Sequence, residues 1–129
     1  MREWMWVVGA VYVLMGIRFL PWINQNQFRR VLTGWNASAE TTEFKALVDW
    51  QATFGLDLVA LGAVAIATAS IGSPATWPAI VWVIVARELI GGVAPDAWLI
   101  RRGYANRMVY TGFIAFHLVV IVSGVLLLR

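Results

Sequence analysis

The sequence has no cysteine and little charge, and each lack excludes something. Without a thiol the chain forms no disulfide, no thiolate nucleophile, no Cys-based zinc site and no dithiol redox pair. Charged residues make up 13% of the chain, about half the share in an ordinary soluble domain. There is a single histidine, and no Cys or carboxylate stands at metal-ligand spacing beside it, so no metal is expected. A haem usually takes a second axial ligand, which this chain would have to borrow from another subunit; no cofactor is expected. No basic tract and no nucleic-acid motif accompanies the net charge of +3. Anionic lipid headgroups account for that charge more simply than a nucleic-acid partner.

What is present is apolar. Hydrophobic residues form 60% of the 129, and the mean hydropathy is +0.73. So short a soluble domain could not bury that much apolar surface, whereas lipid removes the need. The reading is one all-α domain, a four-helix transmembrane bundle. Its spans fall at about 4–22, 52–72, 77–94 and 107–128, each near the roughly 20 residues that cross a bilayer. The first segment ends in Arg18-Phe19-Leu20-Pro21-Trp22 with no small-residue cleavage site, and reads as a retained span. A polar stretch, Asn24 to Gln27, then precedes Arg29-Arg30. Ser38 is placed to cap a new helix with Glu40 and Glu43 in its first turn. Gly55, Gly62 and Ala69 recur every seven residues, a smooth strip for close helix packing. The segment from Pro95 to Asn106 reads as a loop.

Orientation follows from Lys and Arg. Loops 23–51 and 95–106, with their margins, hold Arg29, Arg30, Lys45, Arg101, Arg102 and Arg107, with Arg18 close by. The tails and the middle turn hold only Arg2 and Arg129. The loops are therefore expected in the cytoplasm and both termini outside, in a multi-pass protein of a bacterial inner membrane. Trp22, Trp35, Trp50 and Trp98 fit an inner aromatic belt, and Trp4, Trp6 and Trp77 an outer one.

Ionisable residues inside apolar spans mark where chemistry would sit, because intramembrane charge is expensive and seeks a partner. Asp57 lies in the second span, Arg87 and Glu88 in the third, and His117 in the fourth. Asn106, Tyr110, His117 and Gly124 share one face by their spacing of four and seven. The expected cluster pairs Arg87 with Asp57; for acid–base chemistry Glu88 is the acid, Asp57 the partner acid or base, Arg87 the orienting group, and Tyr110 or His117 a relay. The competing structural reading makes the Asp57–Arg87 pair a device of helix register, with Glu88 paired to Arg18.

Three functions are compatible with this pattern. The first is an accessory or scaffold subunit that packs against other membrane proteins or itself through the small-residue strip. The second is an acid–base enzyme of isomerase or cyclase type acting on a lipid-soluble molecule. The third is an oligomeric transporter or channel. In size the chain resembles small multidrug transporters, but no glutamate lies within its first span; it resembles fluoride channels in span count, without their Thr-Phe-Ser-Thr-Phe signature.

Overall fold

The computed structural model describes residues 1–24 and 28–129; the expected polar run at Gln25, Asn26 and Gln27 lies outside them. Among the described residues all regular structure is helical, apart from one isolated bridge. Helix α1 spans Arg2–Arg18, followed by short α2 (Pro21–Asn24) and α3 (Phe28–Val31). Helix α4 runs unbroken over Thr42–Ile71. A 3₁₀ turn at Pro74–Thr76 leads into α5 (Trp77–Glu88), a π-helical segment (Leu89–Val93) and α6 (Ala94–Arg102). Helix α7 spans Arg107–Leu127.

Among the described residues three stretches are long and apolar enough to cross a membrane: Thr42–Ile71, Pro74–Arg102 and Arg107–Leu127. Their length and apolarity make this an all-helical protein of membrane type. Helix α1 has 17 residues, about 25 Å of helix at 1.5 Å per residue.

Two boundaries differ from the sequence reading. Thr41, not Ser38, caps α4, its side chain accepting from the Phe44 amide at 3.3 Å. Ser38 instead sits one turn earlier, where its carbonyl receives the Thr41 amide and hydroxyl. The expected loop at Pro95–Asn106 is mostly helix: α6 continues the third rod to Arg102 and stops at Gly103, whose φ of 76° supplies the left-handed C-terminal residue. Pro95 does not break the rod because it occupies the first turn of α6, where its missing N–H costs little.

Helices α1 and α4 lie against each other along their length. Gly9 faces Gly62 and Gly16 faces Gly55, and a Cβ built on Gly9 would come within 2.8 Å of the Gly62 carbonyl. At the far end the Arg2 Nε donates to the Ala69 carbonyl at 3.0 Å. The seven-residue strip on α4 therefore has its complement on α1, and backbone meets backbone. Around this seam lies the main core, with Met5, Tyr12, Leu58, Val81 and Ile84 almost wholly buried. Trp4 reaches across to α7, its indole N–H donating to Ser123 Oγ at 2.9 Å.

A second, smaller core of Phe28, Val31, Phe44 and Val48 sits under the first connection, with Trp35 against Phe28 and Phe44. Trp35 thus belongs to this core. The connection is fastened to the α6–α7 turn by an antiparallel bridge between Leu32 and Ala105. The Thr33 amide donates to the Tyr104 carbonyl at 2.9 Å and the Asn106 amide to the Val31 carbonyl at 2.8 Å. Asn106 also caps α7 through its side chain.

Candidate functional site

Glu88 ends α5 and is fully buried. A carboxylate in such a place must be hydrogen-bonded and charge-compensated, and both its oxygens are. Oε1 accepts from the Tyr12 hydroxyl and from Arg87 Nη1, each at 2.5 Å. Oε2 faces His117 Nδ1 at 2.5 Å. On the other edge of the ring, His117 Nε2 lies 3.4 Å from Asp96 Oδ2. That oxygen is buried and has no formed hydrogen bond, so the pair is close without being a completed bond. The imidazole therefore stands between two carboxylates. A neutral ring has one N–H and can donate to only one of them; an imidazolium can donate to both.

The π-helical segment explains how one rod offers both carboxylates to one ring. Eight residues of regular α-helix separate side chains by about 80° around the axis. The segment at Leu89–Val93 absorbs one extra residue, marked by the Ala94 amide donating to the Leu89 carbonyl five residues back. With that residue discounted, Glu88 and Asp96 fall within about 20° of each other, two turns apart. The ring is admitted by Gly92, where an added Cβ would lie 2.6 Å from His117 Nδ1.

Arg87 turns from Glu88 toward a cavity of about 190 Å³. Its guanidinium carbon lies 5.1 Å from the centroid of Phe54 and 5.6 Å from that of Tyr12, between two aromatic rings. Tyr12, Arg87, Asp96, His117 and Gln51 belong to the polar part of the cavity wall. Met15, Phe19, Phe54, Leu58, Phe113 and Phe116 supply its apolar part. Val31 and Tyr110 close it on the side of the bridged connections.

The structure brings together four of the five residues expected from the sequence. Glu88, Arg87 and His117 are in direct contact, and Tyr110 lines the same cavity. Asp57 does not join them. It is exposed on α4, and Arg87 pairs with Glu88 instead. Arg18 is also exposed, so it is not the partner of Glu88. Two members of the network lie outside the sequence reading: Tyr12, one of several aromatics in the first apolar segment, and Asp96, which the sequence places in a loop. Their signals were a lone hydroxyl in the middle of the first apolar segment and a carboxylate eight residues beyond Glu88 across a Gly-Gly pair.

These features define a helical protein of membrane type with a buried Tyr–Glu–His–Asp chain beside a mainly apolar pocket. Residues 1–129 match the BphX-like family across the whole chain, and the protein belongs to it. No curated protein and no solved structure matches the sequence.

Proposed function

We propose that this protein is a membrane-embedded acid–base enzyme of isomerase type, acting on a small lipid-soluble molecule. The observation that carries the reading is the pocket wall: Tyr12, Arg87, Asp96 and His117 converge on a space lined for the most part by apolar groups. Binding sites for small molecules have this composition, and carboxylate–imidazole chains in them move protons. A cavity of about 150 Å³ holds benzene, so 190 Å³ suits a ring-sized group. Asp96 and His117 are the candidate proton-transfer pair at the wall. Glu88 stands behind them against the ring, and Tyr12 donates to Glu88.

The scaffold reading loses its main support. The small-residue strip that would recruit a partner is occupied inside the chain by Gly9 and Gly16. We further propose that α1 is a fourth span. It runs beside α4 from Ala69 to Gly55 and so shares its depth. The bridged connections, carrying Arg30, Arg101, Arg102 and Arg107, are then cytoplasmic, with both termini outside.

The test is purification from native membranes in mild detergent, followed by mass spectrometry of bound small molecules. The expected result is a small hydrophobic species retained by the wild type and lost in Phe113→Trp, which fills the pocket. A stoichiometric protein partner, with nothing small retained, would overturn the enzyme reading in favour of the scaffold.

A further inference from the structure

We infer that the pocket takes a neutral unsaturated ketone and moves its double bond through an enolate. The inference rests on the acid–base reading above and names its substrate class.

The first argument is an inventory of donors. A guanidinium has five N–H groups. Arg87 directs Nη1 to Glu88 and lies beside Tyr12. Even with a second N–H given to that hydroxyl, three N–H groups are left to meet other acceptors. The group is held between two rings at the cavity wall, and half-buried donors of a charged group call for an acceptor. The occupant therefore presents an oxygen to Arg87.

The second argument is charge balance. Arg87 is neutralised by Glu88, and Asp96 faces His117. A carboxylate ligand would add an unbalanced negative charge to apolar surroundings next to Asp96, at high cost. A neutral carbonyl oxygen satisfies Arg87 without that penalty.

The third argument is the carboxylate at the wall. Asp96 lines the same cavity as Arg87, with its buried Oδ2 turned to His117 Nε2 at 3.4 Å. A carboxylate that shares a cavity with a cation able to stabilise negative charge on oxygen is the arrangement that proton removal next to a carbonyl requires.

The step balances without a co-reactant. Asp96 takes a proton from the carbon between the carbonyl and the double bond of a β,γ-unsaturated ketone. The C–H pair becomes the new C=C of a dienolate, and the carbonyl π pair moves to oxygen, where Arg87 receives it. The carboxylic acid of Asp96 returns the proton to the γ carbon. The dienolate collapses to the α,β-unsaturated ketone, and Asp96 is again a carboxylate. His117 acts as a positioning residue, holding Asp96 through its Nε2 edge.

The experiment uses the purified full chain in detergent with three six-membered probes: 3-cyclohexen-1-one, 3-cyclohexen-1-ol and cyclohexene. Ligand-observed NMR reads binding. Proton NMR in D₂O reads conversion of the ketone to 2-cyclohexen-1-one and deuterium uptake at C2 and C4, the α and γ carbons of the dienolate. The expected result is preferential binding of the ketone and catalysed isomerisation. Asp96→Asn should reduce the rate by roughly 100-fold or more while keeping ketone binding and the melting temperature. Arg87→Lys should weaken the preference for ketone over cyclohexene. Equal binding of all three probes, or ketone binding without isomerisation above buffer, would overturn the ketone assignment and leave the pocket as a small-molecule site. Binding of none of them, with Phe113→Trp indistinguishable from wild type, would overturn the pocket reading itself.

Discussion

The imidazole of His117 lies over Gly92 so closely that a single added methyl would stand 2.6 Å from Nδ1. The backbone of the third rod thus forms part of the histidine's seat. Position 92 has no side chain because the ring occupies the place where one would be, between Glu88 and Asp96.

Gly92→Ala is therefore expected to push the ring off both carboxylates. Overpacking at such a contact costs about 1–3 kcal/mol. Thermal unfolding in detergent should show the loss, and the His117 ring resonances should shift. Gly91→Ala is the control, since its nearest contact to an added Cβ is Arg87 Nε at 3.9 Å. Equal stability and unchanged ring signals in Gly92→Ala would refute the packing argument.

Removing the charge at Glu88 should be costly in a way that a second substitution repairs. Glu88→Gln leaves Arg87 without its counter-ion and is expected to destabilise by several kcal/mol, the range seen when one partner of a buried pair is deleted. Arg87→Gln in the same chain should recover part of that loss, because no uncompensated charge remains. A double-mutant cycle in SDS titration measures the coupling. Additive effects would mean that the pair contributes nothing beyond its separate members.

The α1–α4 seam predicts a position-specific sensitivity. Gly62→Leu should separate the two helices, because a Cβ there already meets the Gly9 carbonyl at 2.6 Å. A loss of at least about 1–3 kcal/mol is expected. Ala63→Leu, one residue along on an exposed face, should be nearly neutral. Similar melting temperatures for the two variants would argue against a seam built on close backbone approach.

Topology can be read directly because the chain has no native cysteine. A cysteine at Ser73 should react with an impermeant maleimide in intact cells. One at Arg101 should react only after the membrane is opened. The reverse pattern would invert the proposed orientation, and reaction of both from one side would remove the span between them.

The residues of the site differ in how readily sequence shows them. Glu88 and His117 are visible because a charged or titratable group inside an apolar run has to find an interior partner, and here each is the other's. Asp57 follows the same rule in sequence and breaks it in the fold. Its own helix holds the reason: two residues from Gly55, it lies about 200° around the axis. Seating Gly55 and Gly62 on α1 turns Asp57 outward, together with exposed Leu56. Asp96 was hidden by Pro95, which marks a loop unless the helix before it has already changed its winding. No short-range pattern announces a π turn, although Gly91-Gly92 beside a buried acid is consistent with one. Tyr12 was hidden by company, as one of many aromatics in a chain where most serve the membrane interface. The bridge of Leu32 to Ala105 joins segments more than seventy residues apart, beyond the reach of any local periodicity.

The π-helical segment has a genetic consequence. The alignment of Glu88 and Asp96 depends on the wide turn that absorbs one surplus residue between them, and that residue is one codon. Deleting Ile90 would leave hydropathy and the length of the rod almost unchanged, and every named side chain of the network would still be encoded. The helix would then return to regular winding with Glu88 and Asp96 seven residues apart, still within about 20° of each other. Loss of three nucleotides would thus spare the alignment, whereas regular winding of the segment at its full length would set the two carboxylates about 80° apart.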